Sequence, residues 1–230
     1  MNIAVLSGAG MSAESGLKTF RDADGLWEGH DVMEVASIDG WLANPALVLE
    51  FYNQRRRQLK TVIPNDGHEA LAKLAQFFTV NIITQNVDDL HERAGSSDVV
   101  HLHGELLLAQ SSIDENCIYP CHDDIKIGDL CEYKSQLRPA IVWFGEAVPK
   151  MEDAALKVAQ ADILIVVGTS LQVYPAAGLV NVASRAKQIY YIDPKPDALH
   201  AFDHSDQITV IQDSAAKGLP KLVEQLINQA

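Results

Sequence analysis

Short apolar runs rich in β-branched residues recur along the chain, and segments with helical spacing separate most of them. The runs predict six strands, at Ile3–Ser7, Phe78–Thr84, Ala140–Phe144, Ile163–Val167, Ile189–Ile192 and Ile208–Ile211. The intervening segments predict helices at Pro45–Leu59, Asp66–Phe77, Met151–Gln160, Pro175–Ala186 and Leu219–Ile227. This alternation predicts an α/β fold with a doubly wound parallel sheet, covered by helices on both faces.

Two helix starts and one irregular segment refine this organisation. Asn44 followed by Pro45 reads as a cap and first helical residue, and Asp66 is the expected cap of the next helix. Residues 110–136 are polar, lack a clean period and contain all three cysteines, which predicts a small excursion from the main sheet. We expect a single domain over residues 1–230, with a small module inserted at about 17–60 and 106–137.

Composition excludes several classes of protein. The chain has 230 residues, 47% of them hydrophobic, so it is not disordered, and its formal net charge of −13 argues against nucleic-acid binding. The longest apolar stretch, Ile163–Val167, is too short to cross a membrane. The N-terminus resembles no secretion signal, so we expect a cytoplasmic protein whose cysteines are free thiols or metal ligands. No heptad or edge signal points to self-association, and a monomer is expected.

A glycine-rich loop follows the first predicted strand directly. Its candidate nucleotide-binding residues are Gly8, Ala9, Gly10, Ser12 and Ala13, which match the G-x-G-x-x-A pattern. An ordinary tight turn is the alternative. Residues 14–40 lack the second strand with a terminal acidic residue that a nicotinamide dehydrogenase would carry, so hydride transfer is disfavoured.

Polar residues also follow the second predicted strand and a later short apolar segment. Gln85, Asn86 and Asp88 come just beyond a buried strand, where open α/β sheets bind ligands. The alternative, which is the commoner case in an arbitrary protein, is that Asn86 or Asp88 caps a helix. His103 is a candidate general base, because the pKa of imidazole lies near neutrality. On strand alternation His101 faces the same side, so spacing alone does not separate the two.

Five ordered blocks of the sequence resemble the sirtuins, the NAD-dependent protein lysine deacylases. The resemblance covers roughly residues 3–226 and implies the Rossmann-like fold with a small inserted module that binds zinc in the family. The blocks are GAGMSAESGLKTFRDADGLW from Gly8, TQNVD with the LH and AG that follow, LHGE from Leu102, VWFGE from Val142 and GTSLQVYPAA from Gly168.

The resemblance implies that NAD is a consumed co-substrate. It places the general base at His103, because Gly104-Glu105 follows it, and it places Asn86 and Asp88 in the pocket for nicotinamide and its ribose. The implied products are free lysine, nicotinamide and 2′-O-acyl-ADP-ribose. Asp193 stands where the family commonly has Asn. The implied NAD contacts beyond the glycine-rich loop are Thr19, Phe20, Arg21, Trp27, Gln85, Asn86, Asp88, Gly168, Thr169, Ser170, Asp193 and Ala215.

Further residues are implied for the acylated protein substrate. A peptide would lie as an added strand between two extended edges, 142–146 and 168–174. The implied contacts of the peptide are Val142, Phe144, Gly145, Glu146 and Val173.

Candidate residues for binding the acyl group lie on the helix predicted at Pro45–Leu59. Tyr52 and Arg55 share one helix face, and a phenol beside a guanidinium can bind a carboxylate. A solvated basic face formed with Arg56 and Arg57 is the alternative. The segment resembles the Tyr-x-x-Arg helix of class III sirtuins, which remove succinyl and malonyl groups, and the small Ala36 matches that class. We expect acidic-acyl removal with deacetylation as a second activity.

The chain departs from the family at its zinc site. Sirtuins usually hold a structural zinc in two C-x-x-C pairs, which are missing here. Cys117, Cys121, His122 and Cys131 could form an unconventional site, but their spacing gives this little support, and we expect a metal-free module. Two other functions remain open: NAD hydrolysis or ADP-ribosyl transfer on the same fold, and non-catalytic NAD sensing.

Overall fold

The fold was analysed in a computed structural model that describes residues 1–18, 26–27, 29–203 and 208–229. The strands formed by these residues are β1 (Asn2–Ser7), β2 (Leu26–Trp27), β3 (His30–Asp31), β4 (Thr79–Thr84), β5 (Val99–His101), β6 (Gly104–Ser111), β7 (Ile118–Pro120), β8 (Leu137–Ile141), β9 (Ile163–Val167), β10 (Gln188–Ile192) and β11 (Ile208–Ile211). The α-helices are α1 (Val32–Val35), α2 (Ile38–Ala43), α3 (Pro45–Leu59), α4 (Asp66–Leu74), α5 (Leu90–Arg93), α6 (Met151–Ala159) and α7 (Ala215–Asn228). None of the helices in these ranges is long and apolar enough to span a bilayer.

The main sheet confirms the predicted fold class. Six parallel strands lie in the order β11-β10-β9-β1-β4-β5, so the chain builds outward from β1 in one direction and then returns to build in the other. Side chains along β1 alternate between two cores: Ile3 and Val5 pack with α4 and α7, and Ala4 and Leu6 pack with α6 on the opposite face. The order reverses between β1 and β9, which creates a crevice beyond their carboxyl ends.

A small module sits beside this sheet. It combines helices α1 to α3 with the antiparallel strands β7-β6-β8, and it has its own core around Phe51, Tyr52 and Trp143. The strand predicted at Ala140–Phe144 belongs here as Leu137–Ile141, so its assignment to the main sheet was wrong. The sixth parallel strand is instead Val99–His101, which is only three residues long and therefore gave a weak sequence signal.

Several predicted helix ends are also corrected. The side chain of Asn44 accepts from the Leu47 N–H, which confirms that cap, but α4 is capped by Asn65 because Asp66 is already helical. That helix stops at Leu74 rather than Phe77.

The last two predicted helices also differ from the observed ones. Pro175–Ala186 contains a 3-10 helix at Ala176–Asn181 instead of an α-helix. Helix α7 begins before Leu219, at Ala215, because its first turn packs against the sheet: a Cβ on Gly218 would lie 2.7 Å from Ile192 Cγ2.

Candidate active site

The glycine-rich loop lies against the loop that follows β9. The Gly10 N–H donates to the Gly168 carbonyl at 2.8 Å, and the Gly8 N–H donates to the Val167 carbonyl at 3.1 Å. A Cβ on Gly10 would lie 2.7 Å from the Gly168 Cα, and Gly168 itself has a φ of +61°. Only glycine permits this approach of two backbones. The loop thereby reaches the crevice at the reversal of strand order, where open α/β sheets bind dinucleotides.

A buried polar network joins this loop to the segment after β4. Asn86 Nδ2 donates to Ser12 Oγ at 3.1 Å, and Ser12 Oγ donates to Asp88 Oδ2 at 2.9 Å. Burial raises the pKa of the Asp88 carboxyl, and its hydrogen bonds from Ser12 and the Leu90 N–H oppose that rise. These bonds join residues that are 74 and 76 positions apart in the sequence, so the two motifs form one polar cluster.

The segment after β9 is tied to the same edge. Gln85 Nε2 donates to Thr169 Oγ1 at 3.0 Å, and that oxygen also accepts from the Leu171 N–H at 3.2 Å. Ser170 is half-buried next to this bond. Gln85, Thr169 and Ser170 thus lie beyond the carboxyl ends of neighbouring strands, as their positions in the sequence predict.

The two candidate histidines have different environments. Strand β5 ends at His101, so the alternation assumed for residues 101 and 103 does not apply. His101 Nδ1 contacts the Asn86 carbonyl at 3.1 Å and Nε2 contacts Glu92 Oε1 at 2.8 Å, so both nitrogens face acceptors. Burial lowers the pKa of His101, but the hydrogen bond and charge of Glu92 outweigh burial and raise it overall. His101 therefore favours its protonated form paired with Glu92, and neither ring nitrogen is left to take a proton from a substrate.

His103 has the arrangement that a general base requires. Its Nδ1 lies 3.0 Å from the Gln85 carbonyl, which can only accept, so Nδ1 carries the proton and Nε2 keeps its lone pair. Burial lowers the pKa of His103, and the bond to Gln85 partly opposes this shift. The neutral imidazole is thus favoured at neutral pH, with Nε2 as its basic atom.

The opposite end of the crevice collects residues from β10 and α7. Asp193 is buried directly after β10, and its Oδ1 accepts from the Lys195 N–H at 2.8 Å. Ala215 is buried at the start of α7, where the Ala216 N–H donates to Glu14 Oε2 of the glycine-rich segment at 3.1 Å. In the part of the chain that the structure describes, the buried Ser214 Oγ has no hydrogen-bond partner. An unsatisfied buried hydroxyl at this position fits a polar ligand such as a nucleoside.

The structure does not place the four other predicted NAD contacts, Thr19, Phe20, Arg21 and Trp27, in the crevice. Thr19, Phe20 and Arg21 lie outside the described residues. The Trp27 ring lies in the small module, with its centroid 4.9 Å from that of Phe51.

The predicted acyl-binding residues come together in the small module. Tyr52 is 1% exposed, and its Oη accepts from Trp143 Nε1 at 3.0 Å. The Arg55 guanidinium lies over the Phe51 ring, with Cζ 4.3 Å from the ring centroid. The Ala36 carbonyl accepts from the Phe144 N–H at 2.9 Å, so the small residue borders the same cluster. Burial raises the pKa of the Tyr52 phenol, which keeps it protonated as a donor.

The three consecutive arginines occupy three environments. Arg56 is fully buried, where its Nε donates to the Leu106 carbonyl at 3.0 Å and its Nη1 to Asn53 Oδ1 at 2.8 Å. Arg57 is exposed, where it pairs with Glu50 at 2.7 Å. A solvated basic face therefore describes Arg57 but not Arg56, and Arg55 lies between these extremes in exposure.

The segments predicted as extended peptide-binding edges have irregular backbone. The N–H groups of Val142 and Phe144 donate to the carbonyls of His103 and Ala36, so this part of the first edge is already paired within the chain. Gly145 has a φ of +92°.

The facing segment is also engaged, at Val173, whose carbonyl accepts from the Ala177 N–H at 2.9 Å. Each segment nevertheless presents an exposed aromatic side chain, Phe144 at 39% and Tyr174 at 71%.

The residues of the small module do not fit a structural zinc. Each thiol contacts a different neighbour: Cys117 the Tyr119 hydroxyl, Cys121 the Asp123 carbonyl and Cys131 the Ser111 hydroxyl. Within residues 1–18, 26–27, 29–203 and 208–229, no three His, Cys, Asp or Glu side chains could hold a metal ion together.

A polar clamp links helix α3 to this part of the module. Asn53 Nδ2 donates to the Ile125 carbonyl at 2.9 Å, and Asn53 Oδ1 accepts from the Ile125 N–H at 2.9 Å. Arg56, on the same helix, donates to that Asn53 oxygen and to the Leu106 carbonyl, so the two side chains together join α3 to Ile125 and to β6. Sequence reasoning missed this clamp, because Asn53 has no local signal beyond its place in a helix.

A second set of missed residues supports the glycine-rich loop from beneath. Asn65 Nδ2 donates to the Met11 carbonyl at 2.9 Å, and the Asn65 N–H donates to His68 Nδ1 at 3.2 Å. The His68 ring contacts the buried His91 ring at a centroid distance of 4.9 Å, and His91 Nε2 lies 3.0 Å from Ser7 Oγ. The sequence signal was the capping residue before α4, which was assigned to the wrong position.

The buried His68 makes stability depend on pH. Burial lowers the pKa of His68 from 6.5 to about 4, so the unfolded chain binds more protons between these values. The stabilising contribution of neutral His68 is fully present above pH 6.5 and is lost as the pH falls towards 4. We expect this residue alone to lower the free energy of unfolding by about 2 kcal/mol between about pH 7.5 and about pH 5.

Urea unfolding of the wild type and of His68→Gln at both pH values measures this contribution. Gln keeps an acceptor for the Asn65 N–H but does not titrate. The variant should lose less stability on acidification than the wild type. Equal losses in both proteins would show that His68 does not carry the effect, and that His91 or another group does.

The fold and the site define a class: a Rossmann-like protein with a crevice at the reversal of strand order that suits a dinucleotide, and with the imidazole of His103 at the same edge of the sheet. The model of the protein family described as "Sir2 family" matches residues 8–175 of this chain. An NAD-dependent protein deacylase of Helicobacter pylori strain 26695 is 58% identical over 229 residues, covering 100% of this chain and 99% of the relative. The chain therefore belongs to the Sir2 family, the sirtuins, and both the resemblance and the enzyme class expected from sequence are confirmed.

Solved structures agree with this assignment. A Sir2 homologue in complex with NAD has a TM-score of 0.88 and 36% identity, covering 99% of this chain and 90% of that chain. A mutant Sir2 homologue in complex with 2′-O-acetyl ADP ribose has a TM-score of 0.87 and 35% identity, covering 99% and 92%.

Proposed function

We propose that this sirtuin is an NAD-dependent protein lysine deacylase that removes succinyl and malonyl groups, with deacetylation as a second activity. The observation that carries the acyl preference is the protonated, buried Tyr52 phenol with Arg55 one helical turn away. The products would be free lysine, nicotinamide and 2′-O-acyl-ADP-ribose, and the related structure that holds 2′-O-acetyl ADP ribose supports this product class.

NAD fits the crevice at the carboxyl ends of β1, β4 and β9. When bound, NAD supplies the ribose carbon and the hydroxyl to which the acyl group is transferred. Ser12, Asn86 and Asp88 would line the nicotinamide and ribose end, where their mutual hydrogen bonds fix their orientation before the ligand arrives. Asp193, directly after β10, and Ser214, directly before Ala215, would offer polar side chains to the adenosine end of NAD.

His103 would act as the general base. Its Nε2 would accept a proton from a ribose hydroxyl, while Nδ1–H holds the ring against the Gln85 carbonyl. The lowered pKa of His103 keeps the imidazole neutral at physiological pH, so the basic form predominates. The same shift predicts that activity persists at pH values below the ordinary histidine pKa of about 6.5.

The acyl group would enter the small module between Ala36, Tyr52 and Arg55. Tyr52 and Arg55 would each donate to the terminal carboxylate of a succinyl or malonyl group, and Arg55 can donate two charge-assisted hydrogen bonds. An acetyl group carries no acceptor there, so it would bind through the shared parts of the site alone. The exposed Phe144 and Tyr174 would contact the peptide that carries the lysine.

Matched acetyl-, malonyl- and succinyl-lysine peptides, incubated with the protein and analysed by mass spectrometry, test the proposal. We expect loss of malonyl and succinyl that requires NAD and exceeds the loss of acetyl. Nicotinamide release is followed in the same reactions with and without peptide. Release that does not depend on acylated peptide would favour NAD hydrolysis or ADP-ribosyl transfer, and no release at all would favour a binding module.

A further inference from the structure

Trp143 links the acyl-binding tyrosine to a partly buried ion pair between Arg138 and Glu146. Its Nε1 donates to Tyr52 Oη at 3.0 Å, its ring is 2% exposed, and the Arg138 guanidinium lies over that ring with Cζ 4.1 Å from the centroid. We propose that Trp143 is a positioning residue that sets the preference for acidic acyl groups, because it fixes the direction in which the Tyr52 hydroxyl donates. This inference rests on the proposed function.

The chemistry of the two side chains gives the hydrogen bond a single direction. An indole N–H can only donate, so the Tyr52 oxygen must be the acceptor. A phenol hydroxyl has one proton, and that proton is therefore directed away from Trp143. Tyr52 is 1% exposed, so little solvent can compete for it. The hydroxyl proton is left for an acceptor in the acyl pocket, and an ionised carboxylate is an acceptor whereas the methyl of an acetyl group is not.

The indole is itself held in place by its own loop. Glu146 Oε2 accepts from the backbone N–H of Trp143 at 2.9 Å, and Glu146 Oε1 accepts from Arg138 Nη2 at 2.7 Å. The Trp41 ring packs against Trp143 at a centroid distance of 5.5 Å. Rotation of the indole would therefore disturb its packing against Trp41. It would also displace the Arg138 guanidinium, which stacks on the indole and pairs with Glu146. Tyr52 is oriented before the substrate binds, which favours affinity.

These contacts also give Glu146 a role inside the protein. Both of its carboxylate oxygens accept hydrogen bonds within the chain, one from Arg138 of β8 and one from the backbone N–H of Trp143, which ties its position to that of Trp143. The sequence resemblance implied a substrate contact at this position. The chain of contacts from Arg138 through Glu146 and Trp143 to Tyr52 connects the peptide-side loop to the acyl pocket.

Trp143→Phe removes the indole N–H but keeps an aromatic ring. We expect kcat/KM for succinyl and malonyl peptides, relative to acetyl peptide, to fall about fivefold, mainly through KM. The control is Tyr133→Phe, which likewise removes one polar hydrogen from an aromatic side chain, at an exposed position of the small module. The control should keep the wild-type ratio. Melting temperatures of both variants verify folding.

A double-mutant cycle with Tyr52→Phe separates positioning from packing. If Trp143 acts through the tyrosine hydroxyl, Trp143→Phe should lower the ratio no further once Tyr52→Phe is present. Additive losses would overturn the inference. So would a Trp143→Phe variant that loses all acyl activities equally or loses none, and the proposed function would survive either result if Tyr52→Phe alone lowers the ratio.

Two further outcomes complete the test. A wild type that removes acetyl groups only would overturn both the proposed function and this inference. If Trp143→Phe does not fold, Arg138→Lys replaces the guanidinium over the indole and keeps the positive charge beside Glu146. That variant should lower the succinyl-to-acetyl ratio in the same direction, and an unchanged ratio in it would overturn the inference.

Discussion

His103→Ala should lower deacylation of every acyl peptide by about 1,000-fold or more, because general bases contribute factors of this order. NAD affinity should change by no more than about threefold, since the polar cluster of Ser12, Asn86 and Asp88 does not include the imidazole. Turnover is measured by mass spectrometry of the peptides, and NAD affinity by calorimetry.

The position of His103 in the reaction adds a second readout. Nicotinamide departs before the ribose hydroxyl is deprotonated in the mechanism that the family resemblance implies. Exchange of labelled nicotinamide into NAD should therefore continue in the variant when acyl peptide is present. His200→Ala, at an exposed histidine outside the crevice, is the matched control and should behave as the wild type. Loss of NAD binding together with turnover would mean that His103 supports the loop rather than the chemistry.

The structure gives a physical reason to propose His103 rather than His101 as the general base, a choice that spacing could not make. Both imidazoles hydrogen-bond backbone carbonyls of the segment after β4, at Gln85 and Asn86. The difference is Glu92, which occupies the second nitrogen of His101. Glu92 is nine residues from His101 in the chain, and its contact depends on how α5 packs against β5. Only the family motif distinguished the two histidines from sequence.

The main sheet was largely predictable, because most of its strands are largely apolar and are buried on both faces. Ile163–Val167 and Ile208–Ile211 have the predicted bounds. The missed strand, Val99–His101, pairs with β4 over three residues, and its formation depends on that neighbour more than on its own composition. Ala140 and Ile141 are as apolar as the residues of the main sheet, but they pair with β6. Their strand partner depends on how the small module packs, which apolar character alone does not reveal.

The site was predictable where a motif is local and was missed where a contact joins distant segments. The glycine-rich loop and the polar segment from Gln85 to Asp88 each follow a strand directly, so their location follows from the fold. The bond between Trp143 and Tyr52 spans 91 residues, and the bonds of Asn53 to Ile125 span 72. The hydrophobic periodicity of a sequence does not predict contacts between residues so far apart in the chain. They are nevertheless contacts that orient Tyr52 in the proposed acyl pocket and that link α3 to the rest of the small module.

Arg55→Met should lower kcat/KM for succinyl and malonyl peptides about 100-fold relative to acetyl peptide. The substitution removes the charge and the donors but keeps an unbranched side chain over Phe51. Hydrogen bonds between charged groups contribute about 1.5–3 kcal/mol each, and a loss of about 2.7 kcal/mol in the transition state corresponds to this factor. Rates with the three matched peptides, measured for both proteins, give the ratio.

Arg57→Met is the control that distinguishes a carboxylate receptor from a basic surface. Arg57 lies two residues away on the same helix, is exposed, and pairs with Glu50 at the surface, where an ion pair contributes little to stability. If general attraction of anionic substrates caused the preference, both variants would lower it to a similar and salt-dependent extent. If Arg55 binds the acyl carboxylate, only Arg55→Met changes the ratio, and added salt does not abolish the difference. An Arg55→Met enzyme with the wild-type ratio would remove the basis for acidic-acyl specificity and leave the chain a deacetylase.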